Sequence, residues 1–188
     1  MIKNLIGLEP EELVRGDKEL PPLDLSRELV AADDPILRQE LEDFDFETPP
    51  ERPERIAHIL AHTCINHDGL GLACNQIGLP YRACIITGQP MLCMFNPIIV
   101  GESEEEGYME EGCLTFPNLI VKVKRPEVVR VRFTLPNGET TTRNFQGITS
   151  RVVQHEIDHL NGILFMDLAT DYHLAQAKNK RKKLRKKK

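Results

Sequence analysis

Gln154-His155-Glu156-Ile157-Asp158-His159-Leu160-Asn161-Gly162 contains the pattern H-E-x-x-H. On an α-helix, positions i and i+4 share one face, so His155 and His159 can aim two imidazoles at one metal ion. Glu156 sits beside that face. It can reach a water activated by the metal without being a natural third ligand. Val152, Val153, Ile157 and Leu160 surround the polar residues, and Gly162 follows as a helix stop. The pattern therefore predicts a helix, beginning near Ile148 or Thr149, that carries part of a metal centre. The plain alternative is a buried helix with two hydrogen-bonded histidines.

Three ligands with one open position make a catalytic metal site, so the third ligand decides between these readings. Phe165 occupies the place where a third histidine follows in H-E-x-x-H-x-x-G-x-x-H, and no glutamate occurs after Glu156. The ligand must come from upstream, or be an aspartate or His173. Upstream, Glu111-Gly112-Cys113-Leu114 places Cys113 after a glycine and before a strand. A lone cysteine is usually a small buried hydrophobe. A thiolate that completes two histidines is the other reading.

Outward from this helix the chain reads as α+β. Its sheets are antiparallel or mixed, packed around the H-E-x-x-H helix. Arg55–His67 is a helix candidate with Ile56, Ile59, Leu60 and Cys64 on one side, and His58 and His62 are read as facing solvent. Gly69-Leu70-Gly71-Leu72 turns tightly and permits close approach to its backbone. It is no dinucleotide motif, because a helix precedes it where a strand should. Arg82–Thr87, Leu92–Phe95, Ile98–Val100, Leu119–Lys124, Glu127–Thr134 and Thr140–Phe145 read as strands. Asn137-Gly138 supplies a hairpin turn.

Composition bounds the function. The chain has 188 residues, no Trp and five cysteines without a C-x-x-C, which suits one domain in a reducing cytoplasm. No apolar run is long enough to span a membrane, and residues 1–8 do not suit a signal or transit peptide. The net charge of -5 is unevenly spread: nine basic residues and no acidic one lie between Lys178 and Lys188. The remainder holds 15 basic and 29 acidic residues, a balance of -14. The expected organisation is an acidic extension at 1–22, a catalytic domain at 23–175 and a basic tail at 176–188. The tail is read as an electrostatic tether without a specific fold.

Three motifs in order make the chain resemble the peptide deformylases. Gly69-Leu70-Gly71-Leu72-Ala73-Cys74-Asn75-Gln76 resembles G-x-G-L-A-A-x-Q, Glu111-Gly112-Cys113-Leu114-Thr115 resembles E-G-C-x-S, and Gln154–Gly162 matches Q-H-E-x-D-H-L-x-G. Cys74 and Thr115 depart from the usual Ala and Ser. The resemblance implies removal of the formyl group from N-formylmethionyl nascent peptides, with release of formate. It implies Cys113, His155 and His159 as ligands to one metal ion, with Fe(II) expected and zinc, nickel or cobalt able to replace it. It implies Glu156 as general base and acid. The Gln76 amide and the Leu114 N–H would stabilise the oxyanion. Ile148, Val152 and the stem of Arg151 would form the methionine pocket, and Gly69, Gly71, Glu111 and Gly112 would line the substrate backbone. A monomer is expected, with contact to ribosomal RNA through Lys178–Lys188. An endopeptidase is the alternative, disfavoured by Gln76 and by the lack of a third ligand on the helix.

Overall fold

The H-E-x-x-H stretch forms the C-terminal half of helix α2, Gly147–Leu160, in a computed structural model that describes residues 27–88 and 90–185. The helix ends as its sequence predicts. Gly162 adopts φ +71°, its N–H donates to the His159 carbonyl, and the Ile163 N–H donates to the Asp158 carbonyl. This is a Schellman stop. A Cβ at Gly162 would lie 2.7 Å from the Arg38 carbonyl, so only glycine fits there.

Before α2 come helix α1 (Pro53–Asn66) and strands β1 (Gly71–Ala73), β2 (Ala83–Ile86), β3 (Leu92–Glu102), β4 (Glu106–Glu111), β5 (Val121–Pro126), β6 (Val128–Thr134) and β7 (Thr140–Gln146). Helix α3 (Asp171–Arg185) follows. The strands form a five-stranded sheet in the order β1-β2-β3-β6-β7 and a two-stranded sheet β4-β5. Every pairing is antiparallel, so the fold is α+β and no mixed sheet arises among the described residues.

The large sheet is covered on both faces. Leu72, Ile85 and Phe95 join Ile56, Ile59 and Leu60 of α1 in one core. Ala73, Cys84, Met94, Val131 and Phe133 join Val153, Ile157 and Leu160 of α2 in another. Burial on two faces explains why the β2 stretch is continuously apolar, whereas β6 alternates buried and exposed residues. A third core joins Val121 and Val123 of β5 to Leu37, Phe165 and Ala177 of α3.

The structure departs from the sequence expectations at several points, among them β1, a strand at Gly71–Ala73 where the sequence reads as a tight connection. The two runs at 92–95 and 98–100 are one strand, β3, whose register slips between Phe95 and Ile98, where Asn96 adopts φ +49°. Strand β4, rich in glutamate, was not expected. It forms because Glu110 and Tyr108 lie opposite Lys122 and Lys124, and Lys124 Nζ bonds the Glu106 carboxylate at 2.5 Å. His58 and His62 are half-buried rather than fully solvent-facing. The boundary expected at residue 176 falls inside α3, so the basic segment through Arg185 is helical. The extension at 1–22 lies outside the described residues.

Candidate active site

The Cys113 sulfur, at the end of the two-stranded sheet, lies 3.3 Å from His159 Nε2. One ligand atom from each of Cys113, His155 and His159 lies within 4.8 Å of the other two. Ligands at usual metal–sulfur and metal–nitrogen lengths around a tetrahedral ion are about 3.5 Å apart, so the spacing fits one divalent ion. Among the described residues no other group of three metal-ligating side chains converges this way. His173 does not join it; its ring stacks edge-on against Tyr108, and the upstream thiol takes the third place.

The supports of the two histidines differ. Nδ1 of His155 faces Glu111 Oε2 at 3.1 Å, which leaves Nε2 for a metal. Burial disfavours the charged ring, yet hydrogen bonds to Cys113 and Glu111 outweigh it and push the His155 pKa up to about 10 in the metal-free protein. His159 is driven well below its ordinary value by burial, so it is neutral and ready to ligate. Its backbone is pinned: the His159 carbonyl accepts from Asn75 Nδ2 at 2.5 Å, and the next carbonyl, of Leu160, accepts from Arg82 Nη1 at 3.1 Å.

A cavity of about 340 Å³ opens beside these ligands. The sequence candidates Gly69, Gly71, Gln76, Glu111, Gly112, Cys113, Leu114, Ile148, Arg151, Val152, His155 and Glu156 all line it, with Asp68, Leu70 and Glu110. His159 lies behind, 1% exposed. The Glu156 carboxylate is buried, and its Oε2 has no hydrogen-bond partner among the described residues. Burial pushes its pKa up to about 7. A Cβ at Gly71 would sit 2.6 Å from Glu156 Oε1 and 2.8 Å from Val152 Cγ1. The G-x-G stretch is thus a wall that leaves Glu156 its room.

Gln76 projects from the 3-10 turn Cys74–Ile77. Its Oε1 accepts from the Ala73 N–H at 2.9 Å, and its Nε2 donates to Cys113 Sγ at 3.3 Å and Thr115 Oγ1 at 3.2 Å. Anchored at one end, the amide presents its N–H groups toward the ligand cluster. Thr115 keeps the hydroxyl this contact uses.

Glu111 lines the cavity, and its carboxylate is bonded on both oxygens by neighbouring side chains. Oε1 accepts from Arg125 Nε and Arg151 Nη1, and Oε2 accepts from Arg125 Nη2 and faces His155. Burial opposes its charge, but His155 and Arg125 outweigh burial and lower its pKa to about 2. Its carboxylate is therefore occupied in holding His155. Sequence reasoning missed Arg125. The signal was present: Val121, Val123 and Arg125 alternate on the buried side of β5, so a cation points inward there.

Known proteins resemble this chain over most of its length. The family model described as polypeptide deformylase matches residues 26–174. A peptide deformylase of Synechocystis is 37% identical over 134 residues, covering 68% of this chain and 71% of the relative. One from Microchaete diplosiphon is 35% identical, covering 84% of this chain and 86% of its own. Among solved structures, a peptide deformylase from Synechococcus elongatus in complex with actinonin superposes with a TM-score of 0.76 at 29% identity, covering 88% of this chain and 90% of the other. The Plasmodium falciparum enzyme, in complex with an inhibitor, gives 0.73 at 31%, covering 85% and 99%. Motifs, fold and converging ligands coincide over one span of the chain, and it belongs to the polypeptide deformylase family.

Proposed function

We propose that this chain hydrolyses the formyl group from N-formylmethionyl peptides, with Cys113, His155 and His159 holding one divalent metal and Glu156 moving the proton. The observation that carries this reading is the buried Glu156 carboxylate, whose Oε2 has no hydrogen-bond partner among the described residues, at the cavity lined by Cys113 and His155 with His159 behind. The bound metal supplies a Lewis acid that makes a water acidic enough to ionise near neutral pH. Fe(II) is the metal we assign, with zinc, nickel and cobalt as substitutes; a thiolate and two imidazoles suit all of them.

Glu156 takes a proton from water at a carboxylate oxygen, and the hydroxide adds to the formyl carbon. Gln76 Nε2 turns from Cys113 or Thr115 toward the developing oxyanion, which the Leu114 N–H also approaches. As the C–N bond breaks, Glu156 returns its proton to the departing amine. The products are formate and a free N-terminus. The exposed Ile148, with Val152 and the Arg151 stem, forms the methionine pocket. The substrate backbone lies between β1, an edge strand, and β4, beside Gly69, Gly71 and Gly112. Glycine at these points lets the backbones approach.

The finer setting belongs to the same proposal. Five free thiols suit a reducing cytoplasm, and no described helix is long and apolar enough to cross a membrane. The chain acts as a monomer on nascent peptides, and its basic C-terminal helix contacts ribosomal RNA. Formate release from formyl-Met-Ala, absent with a blocked protein substrate, is the expected result. Cleavage of internal bonds without formate release would overturn the reading.

A further inference from the structure

We propose that Arg125 is a positioning residue for the metal centre: it clamps the Glu111 carboxylate to Asp158, and the clamped carboxylate holds His155 in the orientation that presents Nε2. The inference rests on reading Cys113, His155 and His159 as metal ligands.

Four charges meet between β5, β4 and α2. Arg125 Nε donates to Glu111 Oε1 at 2.7 Å and Nη2 donates to Oε2 at 3.0 Å. The third branch, Nη1, donates to Asp158 Oδ2 at 2.5 Å. One planar guanidinium thus grips Glu111 with two parallel bonds and Asp158 with its third branch, a fixed geometry that the point charge of an ammonium does not impose. Arg125 and Glu111 are each 5% exposed. Burying such charges is costly, and a hydrophobic cluster of similar volume would serve stability as well. What the ion cluster provides is orientation. Both Glu111 oxygens are fixed, so the one facing His155 Nδ1 at 3.1 Å stays an acceptor in a set direction. Arg151 does something different. It gives Glu111 one bond and directs the rest to the Val123 and Gly107 carbonyls, tying α2 to the small sheet. Asp158 lies one residue before His159 on α2, so Arg125 braces the same helix that carries both ligands.

The test is Co(II) binding to the full chain. Affinity is read by chelator competition, together with the visible cobalt spectrum and the melting temperature of the metal-free protein. Arg125→Met should weaken Co(II) binding about 10–100-fold and alter the cobalt bands. Arg125→Lys, which keeps charge but not the fork, should recover only part of the affinity. If the arginine variants do not fold, Asp158→Asn removes the second anchor of Arg125 and should lower the affinity and shift the bands in the same direction. Wild-type affinity and an unchanged spectrum in whichever variant folds overturns the inference. Absence of stoichiometric Co(II) binding by the wild type would instead overturn the reading of the site as a metal centre.

Discussion

In the proposed reaction Glu156 and Cys113 divide the chemistry, and each can be removed without the other. Glu156 has one oxygen without a described partner and a pKa raised to about 7 by burial, which suits a group that takes and returns a proton. Glu156→Gln should keep one metal per chain and lose at least about 10²–10⁴-fold in formate release; activity within tenfold of wild type would remove Glu156 from the proton path. Cys113→Ser should do the reverse to the metal, because a hydroxyl replaces a thiolate as ligand. Metal content after dialysis checks this, and full occupancy with an unchanged cobalt spectrum would show that Cys113 is not a ligand. At this scale the sequence was most informative where spacing along one helix imposes the geometry. His155, Glu156 and His159 needed only the 3.6-residue turn. Arg125 needed the register of β4 against β5, and Arg82 and Asn75 needed the distant C-terminal carbonyls of α2 that they bond. Such partners are fixed by tertiary placement, which one-dimensional spacing does not encode.

Between elements, the decisive packing is β1 against α2. A methyl group on Gly71 would meet Glu156 Oε1 at 2.6 Å and Val152 at 2.8 Å. The backbone of β1 cannot retreat, since Gly71, Leu72 and Ala73 are paired to Ile86, Ile85 and Cys84. Gly71→Ala should therefore displace the Glu156 carboxylate, cutting turnover by about tenfold or more while leaving metal content unchanged; wild-type kcat would mean that the wall yields. Helices and hairpins were legible because apolar periodicity and the Asn137-Gly138 turn are local signals. Strand β4 was not, because the partners of its glutamates, Lys124 for Glu106 and Arg125 for Glu111, lie on β5 and are found only after pairing. The Glu111–Arg125–Asp158 cluster joins the small sheet to α2, and it makes a pH prediction. The Glu111 pKa is lowered from 4.5 to about 2, so its stabilising contribution is complete above the unfolded value and is lost as pH falls from about 4.5 toward 2. That amounts to stability on the order of 3 kcal/mol. Urea unfolding of the metal-free protein at pH 6 and pH 3 should show the loss, and Glu111→Gln should flatten it.

Across the whole molecule, charge is separated: nine cations lie in residues 178–188, and the remainder carries -14. As far as Arg185, the last described residue, the structure makes this run part of a helix. α3 is seated on the small sheet through buried Ala177 and half-buried Leu174, beside Val121 and Val123, while Lys182 and Lys183 are exposed. The expectation that the run has no specific fold is corrected as far as Arg185: Leu174 and Ala177 precede the charge run, so the run looked unanchored when read alone. An anchored helix holds its cations at fixed spacing on one element. Removing residues 182–188 deletes six of the nine cations and spares the anchor. The truncated protein should keep its melting temperature and its turnover of formyl-Met-Ala, since every lining residue of the cavity remains. Its co-sedimentation with ribosomes should fall, and the slope of log affinity against log salt should become shallower by about 0.7–0.9 for each phosphate no longer neutralised. Equal co-sedimentation and an equal salt slope for the two chains would show that the cations of α3 are only a solvated surface.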